Sequence, residues 1–196
     1  DTIYHEHFSY LSLSPLEKLF ESIGMVIYDL DYLETHGGSL RIYVGHKAEF
    51  SANREVRRAI ENERAYGLCD MDFYIDWTSK VQEHKYSVVS FLLEKALSQK
   101  IVYAYGAAAK GNTLLNYCGI NSDYIKAIID KAETKIGKLA PGSSIPVIDP
   151  NSTDFSSIDI IVILPWNIAQ EIVISLRNEY DFKGEIFTFS PKIKKW

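Results

Sequence analysis

The fold of this 196-residue chain is decided by residues 101–111, which read IVYAYGAAAKG. Residues 101–105 form a short apolar run that is typical of a buried strand. The glycine-rich segment 106–111 separates this run from a predicted helix at 112–117. A strand, a glycine turn and a helix in this order predict the start of an α/β lobe.

The C-terminal half continues the alternation of apolar strands and helices. Further strands are predicted at 124–129, 145–148, 158–164 and 185–189, and a helix is predicted at 168–180. Because such alternation is typical of a parallel sheet that helices cover on both faces, we predict an α/β fold with a Rossmann-like lobe.

The N-terminal half predicts a mixed region of helices and strands. A helix is expected to begin with Ser14 as its N-cap and Pro15 at its first position, and to end at Gly24. Two strands rich in Val, Ile and Tyr follow at 25–33 and 39–44, and we expect them to pair as antiparallel neighbours.

Charged helices are predicted between residues 51 and 100, with breaks near Gly67 and Asp70. The predicted buried face of the longer helix consists of Val81, Val88, Leu92 and Ala96. We therefore divide the chain into a mixed α/β region, 1–100, and a Rossmann-like lobe, 101–196, and expect both to belong to one functional region.

The composition excludes two function classes. Hydrophobic residues make up 46% of the chain but form no run as long as a membrane span, so no membrane partner is expected. The formal net charge is -5 and the basic residues are dispersed, so no nucleic-acid partner is expected either. We interpret the cluster Lys192, Lys194 and Lys195 as a solvated tail.

The cysteines and the N-terminus give expectations about location. Cys69 and Cys118 lack metal-ligand spacing, and nothing favours a disulfide between them, so the reducing cytoplasm is the expected location. The first residues lack the pattern of a signal peptide, so we expect none. The chain opens at Asp1 within a dense motif and without an initiator Met, so we expect it to be a fragment of a longer protein.

The glycine turn partly matches the dinucleotide fingerprint G-x-G-x-x-G. Gly106 and Gly111 match its first and third glycines, whereas Ala108 replaces the second. Asp130 follows the next strand, where an acidic residue would meet a ribose hydroxyl, and Lys110 beside a helix N-terminus favours an anionic ligand. The alternative interpretation is that the two glycines only form a tight turn and allow close helix packing.

A second set of polar residues, Tyr4, His5, Glu6 and His7, lies at the start of the chain. Imidazole is the side chain whose ordinary pKa suits proton transfer near neutral pH, so these residues are candidates for acid–base catalysis. The alternative is a polar surface on a frayed terminus. Two imidazoles without a nearby third ligand make a poor metal site, and we predict no metal here.

Two further segments are candidates for ligand binding. His36, Gly37 and Gly38 precede Arg41, whose planar guanidinium suits a phosphate or carboxylate, although a hairpin turn with a surface Arg would show the same pattern. The segment LPWN, 164–167, follows the most apolar strand, at the end where open α/β sheets bind ligands. Taken by itself, its tryptophan fits a core or rim position better than a platform for ligand stacking.

Five motifs, taken in order, resemble the C-terminal region of the S-adenosylmethionine-dependent sugar C-methyltransferases, which methylate nucleotide-linked keto-deoxysugars. The motifs are YHEHFSY at 4–10, THGGSLR at 35–41, YGAAAKGN at 105–112, Gly137 with Pro141-Gly142 and Ile145-Pro146-Val147, and LPWN at 164–167. Full-length members of that family also have an N-terminal zinc-binding domain and a central domain that holds S-adenosylmethionine. The resemblance implies that this chain lacks both domains and is inactive alone.

The resemblance also implies site residues. His7 matches the expected catalytic base, with Tyr4 and Glu6 in supporting roles, and the expected partner is a nucleotide-linked sugar. From this likeness, the fold and the charge, the expected substrate-binding residues are His36, Gly37, Gly38, Arg41, Gly106, Lys110, Gly111, Asn112, Asp130, Trp166 and Asn167. A fragment of an NAD(P)-dependent oxidoreductase and a non-enzymatic Rossmann-like binding module stay open as alternatives.

Overall fold

The computed structural model describes residues 7–35 and 38–196. The chain divides into two compact units. One unit is Phe8–Lys80, and the other is Val81–Trp196 together with His7. Whether 1–100 and 101–196 act as functional parts stays a prediction.

The Phe8–Lys80 unit packs two helices on a β-hairpin. Its elements are helix α1 (Leu13–Ser22), strand β1 (Met25–Leu33), strand β2 (Ser39–His46), helix α2 (Arg54–Ala65) and the first part of helix α3 (Met71–Leu97). The strands pair antiparallel, as predicted, and Met25 lies opposite His46. Its core consists of Leu13, Ile27, Leu30, Val56, Ala59 and Ile60.

The beginning of α1 differs from the prediction. The helix begins at Leu13, and Ser14 is a buried helical residue, so its assignment as N-cap was wrong. The Glu63 carboxylate instead accepts hydrogen bonds from the N–H groups of Leu13, at 2.7 Å, and Ser14, at 2.8 Å. A side chain distant in sequence thereby satisfies two N–H groups that lack partners within the helix.

Helix α3 follows the predicted break, because α2 ends at Ala65 and α3 begins at Met71. Val88 and Leu92 are buried as predicted. Ala96 is exposed, so its assignment to the buried face was wrong. It lies in the last turn of α3, which contributes no buried side chain.

The second unit contains a six-stranded sheet in the order β5-β4-β3-β6-β7-β8. Its elements are β3 (Val102–Tyr105), α4 (Ala109–Cys118), β4 (Ile128–Ile129), β5 (Val147–Ile148), β6 (Ile160–Ile163), α5 (Ala169–Asn178), β7 (Glu185–Thr188) and β8 (Lys194–Lys195). Strands β3 to β7 are parallel, which confirms the predicted α/β fold.

Strand β8 corrects the interpretation of the C-terminal lysines as a solvated tail. Lys194 and Lys195 pair antiparallel with Thr188 and Phe187 at the edge of the sheet. The Lys195 ammonium also bonds the Glu185 carboxylate. Lysines are common on edge strands because their charges oppose pairing with further chains, yet they leave no apolar alternation to reveal the strand.

Both faces of the sheet are buried, which explains why its strands are almost continuously apolar. On one face Val88 and Leu92 of α3 and Leu115 of α4 join the core, and on the other face Ile172 and Leu176 of α5 do so. Within the described residues, no helix combines the length and the apolar character needed to span a membrane.

Strands β3 and β6 are neighbours at the point where the strand order reverses. The chain proceeds from β3 outward to β4 and β5, and from β6 outward to β7. In open parallel sheets, ligands bind beside the carboxyl ends of the strands at this switch point. Tyr105 and Ile163 are register partners there, so the segments that follow them define the candidate site.

Candidate ligand site at the switch point

The glycine turn begins directly after β3. Gly106 has a φ of +84°, a conformation that favours glycine. A Cβ atom at this position would lie 2.6 Å from Cδ of Pro165, so the turn packs closely on the segment after β6. The N–H of Ala108 closes the turn by donating to the carbonyl of Gly106 at 2.8 Å.

Gly111 has a different role, because it lies within α4. A Cβ atom there would be 2.5 Å from Cβ of Leu164, the residue that follows β6. Helix α4 therefore approaches the end of β6 more closely than a residue with a side chain at position 111 would allow. Close packing explains why glycine is present at both positions. The argument for a ligand therefore depends on the side chains and the space around them.

Asp130 fixes the turn from the end of β4. Its Oδ2 accepts hydrogen bonds from the Ala107 N–H at 2.6 Å and from Nζ of Lys135 at 3.3 Å. Its Oδ1 accepts from the Ala132 N–H at 2.8 Å, and the residue is buried. The carboxylate is thus engaged in holding the turn, and ribose binding by Asp130 stays a prediction.

Lys110 and Trp166 lie close to each other. Nζ of Lys110 is 5.1 Å from the ring centroid of Trp166, which is within the range of a cation–π interaction. Burial lowers the pKa of the Lys110 ammonium. Trp166 is half-buried, and Asn167 beside it is exposed. The structure therefore brings Gly106, Lys110, Gly111 and Trp166 to the switch point.

A cavity of about 490 Å³ borders the turn on the β4 and β5 side. We call it the alanine cavity, because three consecutive alanines of the turn line it together with Asn112, Leu139 and Leu164; they are Ala107, Ala108 and Ala109. The Oδ1 atom of Asn112 is buried and has no hydrogen-bond partner among the residues that the structure describes. Sequence reasoning missed the contribution of the irregular segment 134–141, although Gly137 and Pro141 within it belong to a quoted motif.

A second cavity, of about 330 Å³, lies beside α5. Tyr105 lines it, and burial raises the pKa of that phenol to about 12. The Lys131 ammonium lies 3.0 Å from the Glu179 carboxylate, and this hydrogen bond raises the pKa of Lys131. An ion pair therefore borders this cavity.

Several of the predicted site residues fall outside the part of the chain that the structure describes. Tyr4, Glu6, His36 and Gly37 are outside the described residues, whereas His7 is described and exposed.

Gly38 and Arg41 belong to the Phe8–Lys80 unit, and the Arg41 side chain is exposed. Gly38 donates its N–H to the Thr35 carbonyl at 3.0 Å. Arg41 lies opposite Asp31 in the register of the two strands. Their roles stay predictions.

A parallel sheet with a glycine turn and cavities at its switch point defines a Rossmann-like α/β domain. Residues 34–191 match the family described as C-methyltransferase C-terminal domain, and the chain belongs to this family. It is 34% identical over 186 residues to the C-methyltransferase NovU of Streptomyces niveus, across 93% of this chain and 43% of that protein. The chain thus spans about two fifths of the curated relative that it matches.

The predicted resemblance to the C-terminal region of C-methyltransferases is confirmed by both comparisons. They favour the methyltransferase hypothesis over the oxidoreductase and binding-module alternatives. The family match begins at residue 34, so it does not include Tyr4, His5, Glu6 and His7.

Proposed function

We propose that this chain is the substrate-binding and base-supplying region of an enzyme that transfers a methyl group from S-adenosylmethionine to a carbon of a nucleotide-linked keto-deoxysugar. The observation that carries the proposal is the glycine turn with Lys110 and Trp166 at the switch point of a C-methyltransferase C-terminal domain. The name of the relative, C-methyltransferase NovU, supports the reaction class.

The base acts on a carbon next to the ketone, where the C–H bond is acidic. A ring nitrogen of His7 accepts the proton, and the electron pair of the broken C–H bond delocalises onto the carbonyl oxygen as an enolate. The Tyr4 phenol or a protonated Glu6 donates a hydrogen bond to that oxygen and stabilises its charge. His5 has a structural role in this proposal.

S-adenosylmethionine, when bound, supplies an electrophilic methyl group that the enolate carbon takes as the carbon–sulfur bond breaks. We propose that the donor is held outside the glycine turn of this lobe. The support is Asp130, whose carboxylate is already bonded to the Ala107 and Ala132 N–H groups and to Lys135. Among residues 7–35 and 38–196 no three His, Cys, Asp or Glu side chains are grouped as metal ligands, so we assign none of them to zinc.

The anionic part of the nucleotide sugar is proposed to bind at the N-terminus of α4. The first N–H groups of a helix lack partners within the helix and carry partial positive charge, which suits phosphate. Lys110 adds an ammonium at this end. We propose that Trp166 and Asn167 contact the sugar portion. The predicted roles of His36, Gly37, Gly38 and Arg41 in substrate binding are proposed separately, from the sequence alone.

The proposal is tested with the full-length protein, isotope-labelled S-adenosylmethionine and a panel of nucleotide-linked keto-deoxysugars. We expect mass spectrometry to detect a labelled methyl group, and NMR to place it on a carbon next to the carbonyl. NADH is titrated in parallel and followed by its fluorescence. Binding and oxidation of NADH without methylation of any sugar in the panel would support the oxidoreductase alternative instead.

A Lys110→Met variant tests the role of the lobe. Loss of one charge-assisted hydrogen bond costs about 1.5–3 kcal/mol, so we expect KM for the nucleotide sugar to rise about 10- to 100-fold. Lys183→Met is the matched control, because Lys183 is exposed and pairs with Asp181. An unchanged KM in the Lys110 variant contradicts the assignment.

A further inference from the structure

The first two peptide groups of the glycine turn have all their polar atoms engaged within the protein. Between Gly106 and Ala107, the carbonyl accepts from the Ala108 N–H at 2.8 Å, and the N–H donates to Asp130 at 2.6 Å. In the next peptide group, the N–H is that same donor of Ala108, and the Ala107 carbonyl accepts from Nζ of Lys135 at 3.0 Å. One lysine side chain therefore completes the set.

Lys135 reaches the turn from an irregular segment that is itself anchored. The Gly137 N–H donates to the Val147 carbonyl at 2.9 Å, and the Val147 N–H donates to the Lys138 carbonyl at 2.8 Å. Two residues before this pairing with β5, the Lys135 N–H donates to the Ala132 carbonyl at 2.9 Å. The backbone of Lys135 is thus held on both sides, and only its side chain has to be ordered to reach the turn.

The Lys135 ammonium closes a ring of hydrogen bonds around Ala107. Its Nζ lies 3.0 Å from the Ala107 carbonyl oxygen and 3.3 Å from Oδ2 of Asp130. The same Oδ2 atom accepts from the Ala107 N–H. Hydrogen bonds with a charged partner are stronger than neutral ones, and all three bonds of this ring have one. The side chain of Lys135 is 46% exposed, so the ring closes at the surface of the lobe.

This ring lies directly before the first turn of α4. The helix begins at Ala109, and the side chain of its N-cap residue, Ala108, makes no capping hydrogen bond. The direction of the first N–H groups of the helix therefore depends on the peptide groups that precede them. Rotation of the peptide group between Ala107 and Ala108 would turn those N–H groups away from their present direction.

We propose that Lys135 is a positioning residue for substrate binding, because it holds the Ala107 carbonyl and thereby orients the first N–H groups of α4. The part that those N–H groups take in binding an anionic substrate rests on the proposed function. The order of the turn rests on the hydrogen bonds of Lys135, which are made within the protein itself.

The first test compares the steady-state kinetics of the full-length protein with those of a Lys135→Met variant, on the sugar of the panel that is methylated. The lysine is half-exposed, so we expect KM to rise about fivefold and kcat to stay within about twofold. Lys135→Arg keeps a cation with several donors and should hold KM within about twofold of the wild type. An unchanged KM in Lys135→Met overturns the proposal, and so does a fall in kcat alone.

Lys126→Met is the matched control. The Lys126 ammonium also donates to backbone carbonyls, those of Ser122 at 3.2 Å and Asp123 at 3.4 Å. Lys126 precedes β4, at the end of the parallel strands opposite to the glycine turn. The control therefore loses the same charge and the same kind of hydrogen bond, and we expect its KM to be unchanged. A rise in KM equal to that of Lys135→Met overturns the proposal, because loss of charge alone would explain both.

Amide hydrogen exchange without substrate separates positioning from direct contact with the substrate. If Lys135 holds the turn, the N–H groups of Ala107 and Ala108 exchange about fivefold faster or more in Lys135→Met. Unchanged exchange overturns the proposal, even if the protein methylates its sugar. Faster exchange without methylation of any sugar in the panel supports the hold of Lys135 on the turn and overturns the proposed function.

Discussion

Replacing Gly111 by alanine tests how closely α4 packs on the end of β6. The new Cβ would lie 2.5 Å from Cβ of Leu164, whereas ordinary contacts are 3.4–4 Å. Both atoms are attached directly to backbone, so no side-chain rotation relieves the contact. Helix α4 must therefore move by roughly 1 Å, in an interior that is closely packed.

The expected cost follows from two opposing effects. Overpacking costs about 1–3 kcal/mol, and a contact that only backbone movement relieves belongs at the upper end of that range. Alanine in place of glycine returns up to about 1 kcal/mol through its higher helix propensity. The net loss of about 2 kcal/mol corresponds to a fall in Tm of about 4–8 °C for a protein of this size.

Calorimetry or thermal melting of Gly111→Ala measures this loss, and a double-mutant cycle with Leu164→Gly gives its cause. The Leu164 substitution removes the opposing Cβ, so Gly111→Ala should then cost nothing and should stabilise the protein by up to about 1 kcal/mol through helix propensity. A Gly111→Ala protein as stable as the wild type would refute the packing argument. So would a cost that is the same in both backgrounds.

Three further predictions concern features outside that contact. Glu63→Ala removes the carboxylate that bonds the first turn of α1, so we expect a loss of about 1–2 kcal/mol and faster exchange of those amides; Glu61→Ala, at an exposed site, should change neither. Asp130→Asn sets an amide against N–H donors and should cost about 1–3 kcal/mol in urea unfolding, whereas equal stability would contradict the role of Asp130 in holding the turn. Burial raises the pKa of the Cys118 thiol to about 11, so near neutral pH iodoacetamide should modify exposed Cys69 and spare Cys118, and equal rates would contradict its burial.

The fold was predictable where packing leaves a clear apolar run in the sequence. The runs at 101–105 and 158–164 contain β3 and β6, which are buried on both faces. Strand β8 left no such pattern because its two residues are both exposed lysines. The cap of α1 was also not predictable from the sequence. Its carboxylate belongs to Glu63, about fifty residues away in sequence, and no local motif marks it.

The candidate site was predictable in part. The glycine turn and the segment around Trp166 each follow a strand of a parallel sheet, and topology brings such segments together. The alanine cavity was not predictable, because Leu139 and Lys135 come from an irregular segment whose course depends on tertiary contacts. The engagement of Asp130 with its own turn depends on the same tertiary structure.

The central claim is that His7 removes a proton from the carbon next to the ketone of a nucleotide-linked sugar. Its most direct test is exchange of that proton with solvent deuterium in the full-length protein, compared between His7→Ala and His5→Ala. The account predicts that the wild type and the His5 variant exchange the proton and that the His7 variant does not. Undiminished exchange in the His7 variant would contradict the claim.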